Sequence, residues 1–204
     1  MIKNKLTIMK MNKLKFFSVA LLASTFVSQA QDINQAKKAL DAEQFESAKS
    51  ILKSIIKQKP SNGAAYYTLG NVYLNQAVED SAKIYFQNGL KVSEDAKLNY
   101  IGLGQIDLDN NDLAAAQAKF DLAIKDIKKK DFQEYIYIAR AYMNAKKPDY
   151  KSALAILNRA DVKNSQDPQM QLALGDAYYG DGKQNEAYVA YRNAFQADNT
   201  LLRA

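Results

Sequence analysis

The sequence predicts an all-α chain of about five helix–turn–helix repeats behind an N-terminal export segment. Three observations carry this reading. Alanines recur at 48, 82, 116, 153 and 187, at intervals of 34, 34, 37 and 34 residues. Apolar residues around them fall at helical spacing, with no sustained strand-like alternation. The first thirty residues differ in composition from all the rest.

That first segment reads as an address. Lysines stand at positions 3, 5, 10, 13 and 15, and no acidic residue precedes Asp32. An apolar run follows, from Phe16 to Ala23 and less purely to Val27, and then the small residues of Ser28-Gln29-Ala30. A basic start, a short apolar centre and small residues at the cut are the layout of a secretory signal peptide. The apolar part is shorter than the roughly 20 residues of a membrane span, which disfavours the alternative of an uncleaved anchor. No cysteine follows it, so lipid anchoring at that residue type is excluded. Met1, Met9 and Met11 all open plausible signals. The expected division is a signal peptide at 1–30 and a repeat domain at 31–204.

Charge changes meaning once this division is made. The 204-residue chain has 28 Lys and Arg against 22 Asp and Glu, a net +6 that hints at nucleic acid. Removal of the five N-terminal lysines leaves 23 basic residues against 22 acidic ones, a net +1. Basicity therefore belongs to the export segment, and no nucleic-acid partner is expected. The chain contains no cysteine, histidine or tryptophan. Disulfides, thiolate metal sites, Ser-His triads and the commonest zinc ligand are thereby excluded.

The units are expected at about 32–62, 63–96, 97–131, 132–167 and 168–201. The first is atypical, with Gln35-Ala36 where later units carry a large residue followed by a small one. In the second, Tyr66, Leu69, Gly70 and Tyr73 follow i, i+3, i+4, i+7, one face of a helix. Ala82, Phe86 and Leu90 do the same for the next helix. The third has Tyr100, Leu103-Gly104 and Asp107, a turn at Asp109-Asn110-Asn111-Asp112, then Ala116, Phe120 and Ala123. The fourth has Tyr135, Ile138-Ala139 and Tyr142, two extra residues in the turn Lys146-Lys147-Pro148-Asp149, then Ala153, Leu157 and Ala160. The fifth has Gln171, Leu174-Gly175 and Tyr178, a turn at Gly180-Asp181-Gly182, then Ala187, Tyr191 and Ala194. Small residues facing large ones let two helices approach and interlock. Each pair keeps an apolar side that its neighbour must cover.

The pattern resembles the tetratricopeptide repeat, a 34-residue helix–turn–helix unit, over about residues 32 to 201. Departures are the first helix, Asp107 in place of an aromatic, a closing proline only at Pro60, and the longer fourth unit. The resemblance implies a right-handed α-solenoid whose first helices line a concave groove. It implies an apolar stripe of Ile33, Tyr67, Ile101, Ile136 and Leu172 facing inward, beside a polar row of Lys37, Asn71, Gln105, Arg140 and Asp176. The apolar stripe would bury side chains of a guest. Asn71, Gln105 and Arg140 would hydrogen-bond its backbone or carboxylates. The chaperone-type carboxylate clamp of the family is not matched, because Lys37 and Arg140 lie too many units apart.

Other chemistry is thin. Asp107-x-Asp109-x-Asn111 starts like a calcium loop, but Asp112 replaces its glycine and Ala118 its closing glutamate, so a structural turn is expected. Gly102-x-Gly104 lacks the strand and lysine of a phosphate loop. Lys128-Lys129-Lys130 reads as a solvated helix end. Neither catalytic residues nor a metal or cofactor site is expected. The expected function is a non-catalytic protein- or peptide-binding scaffold of the bacterial-type cell envelope, periplasmic or extracellular, with no membrane span after cleavage. The alternative is the repeat region of a larger envelope assembly protein, since residues 198–204 read like the start of a sixth unit.

Overall fold

The computed structural model describes residues 33–92, 94–125, 127, 132–160 and 166–201. The export segment at 1–30 and the lysine run at 128–130 lie outside them. The described residues are helical, with one isolated parallel bridge between Asn62 and Glu94 and no strand. Residues 33–41 form α1. Then come α2 (Phe45–Gln58), α3 (Gly63–Asn75), α4 (Glu79–Gly89), α5 (Leu98–Asp109) and α6 (Leu113–Ile124). They are followed by α7 (Gln133–Asn144), α8 (Tyr150–Arg159), α9 (Pro168–Gly180) and α10 (Gln184–Ala197), and by a single 3-10 turn at Asn199–Leu201.

The described residues divide into two compact units, those up to Pro60 and those from Ser61 onward. In the first, Ala36, Ala48, Leu52 and Ile55 are buried. In the second, the helices pair as α3 with α4, α5 with α6, α7 with α8 and α9 with α10, and each pair packs on the next. Polar side chains start several of these helices. Asn62 accepts from Ala65 N at 3.1 Å, Asp112 from Ala115 N at 3.0 Å and Asp149 from Ser152 N at 2.9 Å. Asp167 accepts from both Gln169 N and Met170 N, just before Pro168. Each such cap satisfies a backbone N–H that the helix leaves without a partner, for about 1 kcal/mol.

The turn within the pair repeats to the atom in four of the five pairs. The backbone N–H of Gln44, Val78, Asp112 and Lys183 donates to the carbonyl five residues earlier, at 2.8–2.9 Å. The residue before each donor lies in the left-handed region: Glu43 (φ 57), Ala77 (φ 57), Asn111 (φ 62) and Gly182 (φ 77). Pro148 holds the equivalent place in the fourth pair, and its ring fixes φ near −65°. That turn is rebuilt with two more residues, so Asp149 N donates instead to Tyr142 O at 3.0 Å. The longer fourth turn thus carries, before its donor, a residue that cannot adopt the left-handed conformation of its counterparts.

Glycine and phenylalanine set the distance between pairs. Phe86 is fully buried. A Cβ on Gly70 would stand 2.2 Å from its ring, and one on Gly102 2.3 Å from it. The ring therefore fills space that its own pair and the next pair both leave open. Phe120 repeats the half of this arrangement that lies within its own pair, against Gly104, where an added Cβ would lie at 2.4 Å. Leu52, Phe86, Phe120 and Leu157 all stand four residues after their alanine, and all are 0% exposed.

Candidate functional site

The first helices of the pairs in the second unit, α3, α5, α7 and α9, contact one another in sequence. These helices carry the residues of the second unit that the groove reading singled out. Tyr67 on α3 meets Tyr137 on α7 edge-on, with ring centroids 5.6 Å apart. Neighbouring packed helices lie about 8–10 Å apart. Two side chains from helices on either side of α5 therefore touch only because the row curls toward this face. Tyr67 also packs on Phe86 at 6.1 Å.

Polar groups gather beside this aromatic pair. The side chains of Asn71 and Arg140 both lie close enough to the Tyr67 hydroxyl to act on it. Desolvation dominates there and pushes the Tyr67 pKa up to about 12, against the opposing effects of Asn71 and Arg140. The phenol is protonated throughout the physiological range. Arg140 Nη2 donates to Gln169 Oε1 at 3.2 Å, which ties α7 to α9. One N–H of five is used in that bond, so the planar guanidinium keeps donors for a carboxylate.

The predicted stripe needs correction. Ile101 and Ile136 are each 1% exposed and belong to the hydrophobic core. The same core has Tyr67 and Tyr137 packed against it, and the curl of the row seals the two isoleucines beneath. They offer no surface to a guest. Tyr67 and Leu172 are half-buried, as are Asn71, Gln105, Arg140 and Asp176. Tyr67, Asn71 and Arg140 are brought together. Asp176 does not join them, because its carboxylate accepts from Tyr191 Oη on α10 at 3.0 Å. Of the two residues expected in the first unit, Ile33 is half-buried and Lys37 exposed.

Tyr137 and Gln169 were absent from the sequence reading. A trace of Tyr137 was visible there. The residue before the large aliphatic position is Thr68, Gly102 or Ala173 in the other units, and only in the fourth is it a large aromatic. Gln169 stands in the first turn of α9 and has no comparable mark.

The remaining carboxylates of the calcium-like segment are committed to structure. Asp107 pairs with Lys119, Asp109 accepts from Lys146 N at 2.7 Å, and Asp112 caps α6. Among the described residues no three metal-ligating side chains converge. No helix among them is long and apolar enough to cross a membrane.

A model of the tetratricopeptide repeat-like domain matches residues 75–202. The chain belongs to that family. Among solved structures, its tetratricopeptide fold is shared by a thermophilic tetratricopeptide repeat protein of Thermus thermophilus. The two are 15% identical over 85% of this chain and 93% of the other, with a TM-score of 0.59. PilW, a type IV pilus biogenesis factor, is 18% identical over 86% of this chain and 79% of its own, with a TM-score of 0.51. A tetratricopeptide repeat protein from Parabacteroides merdae is 17% identical over 82% and 64%, with a TM-score of 0.56. At these identities the likeness shows the fold alone. No curated protein sequence matches the chain.

Proposed function

We propose that this tetratricopeptide protein is a non-catalytic scaffold that holds an extended segment of a protein partner on the face formed by α3, α5, α7 and α9. The observation that carries the reading is the convergence of Tyr67, Asn71 and Arg140, with Tyr137, at the centre of that face. With Ile101 and Ile136 sealed, recognition rests on polar and aromatic groups rather than on apolar pockets. The amides of Asn71 and Gln105 suit a peptide backbone, with its alternating donors and acceptors. Arg140 suits an acidic side chain of the guest. The order of basic, apolar and small residues in 1–30 supports export, and hence a partner in the cell envelope or outside the cell.

Crosslinking and capture from envelope fractions tests the proposal, with wild type beside an Asn71→Ala/Arg140→Ala double variant. The expected result is a specific protein partner recovered with wild type and lost with the variant. Equal recovery with both proteins moves the site off this face.

A further inference from the structure

We infer that a cavity between α9 and α10 takes the ring of a tyrosine from a protein partner, with a basic residue beside it. The inference starts from two positions that recur in the pairs from α3 onward. Four residues after the large aliphatic of the first helix stand Tyr73, Asp107, Tyr142 and Tyr178. Three residues after the aligned alanine of the second helix stand Tyr85, Lys119, Ile156 and Ala190. In α3–α4, Tyr73 and Tyr85 stack, with centroids 5.3 Å apart and ring planes within 9° of parallel. In α5–α6, Asp107 and Lys119 form an ion pair. In α7–α8, Tyr142 and Ile156 are both buried in the core. The α9–α10 pair keeps the tyrosine, but Ala190 puts a methyl group where the others carry a long side chain. A second exchange widens the gap. Three residues before the large aliphatic stand Tyr66, Tyr100 and Tyr135 in the earlier pairs, and Gln171 in α9.

Where these short side chains meet lies a cavity of about 350 Å³, within the size range of ligand sites. Leu174, Tyr178, Val189 and Ala190 give it apolar walls. Asn193 Nδ2 donates to Gln171 Oε1 at 3.3 Å, and both side chains line the cavity. Glu186 lines it from an exposed position on α10. The site is thus built from α9 and α10 alone. Gln171, Leu174 and Tyr178 follow i, i+3, i+7 and so share a face of α9 other than the one carrying Leu172 and Asp176.

Two features select the occupant. Tyr178 presents a half-buried ring beside open space, as Tyr73 presents one to Tyr85, and a second ring gains from stacking beyond the area it buries. Glu186 supplies the charge preference. Lys183, over the Tyr178 ring at 5.9 Å, pairs with Asp181 at 2.8 Å, so this end of the cavity carries one positive charge against two negative ones. A basic residue next to the incoming tyrosine complements that balance.

Methyl NMR of the full chain, titrated with acetyl-Lys-Tyr-amide, tests the inference. The Val189 and Ala190 methyl signals should shift saturably. Acetyl-Lys-Leu-amide should bind about fivefold more weakly for want of stacking. Glu186→Lys should weaken binding of the tyrosine probe several-fold and melt as wild type does, because that side chain is exposed. Ala190→Tyr should fill the cavity with its own ring and abolish binding. Equal binding of the two probes overturns the inference, as does an affinity that ignores Glu186→Lys or a folded Ala190→Tyr that still binds. Shifts confined to other parts of the chain overturn it too. Tyramine binding as tightly as the dipeptide would assign the cavity to a free aromatic amine and overturn the protein source.

Discussion

Helix pairs α3–α4 and α9–α10 share a register and differ in what lies over them. In the first, Phe86 is clamped between Gly70 of its own pair and Gly102 of the next. In the second, Tyr191 meets Gly175 from within, where a Cβ would lie 2.5 Å from its ring, and its hydroxyl turns to Asp176. The difference teaches that the small-against-large pattern builds the hairpin, while the next element decides whether the large residue is apolar. Where a helix follows, a phenyl ring is sealed. Where none does among the described residues, a phenol keeps a polar tip that donates to Asp176.

Truncation of the two rings sharpens the comparison most. Phe86→Ala removes a fully buried ring that two pairs share, and should cost about 3–5 kcal/mol in chemical denaturation. Tyr191→Ala removes a half-buried ring that packs on Gly175 of its own pair, and should cost clearly less. Equal costs would mean that the next pair contributes nothing to holding Phe86.

A smaller effect lies along the turns. Glu79 accepts from Asn110 Nδ2 at 2.9 Å and pairs with Lys146 at 3.5 Å, linking the turns of three successive pairs. The hydrogen bond from Asn110, aided by Lys146, holds the Glu79 carboxyl below the usual range despite some desolvation. A group with a lowered folded pKa stabilises the fold above its unfolded value and loses that effect as pH falls through the folded one. Wild type should therefore be slightly more stable than Glu79→Gln at pH 7, with the gap closing below about pH 4, under the free glutamate value. Thermal melts of the two proteins across pH 3–7 check this. A gap that persists at pH 3 would show that the turns are joined by something other than charge.

Much of the fold was legible because its controlling residues are local and periodic. The alanine register and the residue four places on mark the buried face of each second helix, and Pro148 marks the one turn that had to be rebuilt. The site was less legible. Ile101 and Ile136 sit at the positions that should line the groove, yet the curl of the inner row buries them. That curl is a property of three helices packed together and has no trace in any one of them. The bond of Asp176 to Tyr191 was hidden for a related reason, since Tyr191 comes from the helix behind. Tyr67, Asn71 and Arg140 were legible as single positions, but their convergence with Tyr137 emerges only when α3 and α7 meet across α5.

Binding of an acidic extended peptide at that convergence tests the central claim most directly. Arrays of peptides differing in one charged position, probed with wild type and with Arg140→Ala, read it out. Wild type should favour peptides carrying Asp or Glu over their Asn or Gln counterparts, and Arg140→Ala should lose the preference while melting within about 0.5–1.5 kcal/mol of wild type, the range for one hydrogen bond. A preference that survives in Arg140→Ala, or wild-type binding that is indifferent to the peptide's charge, would contradict the account.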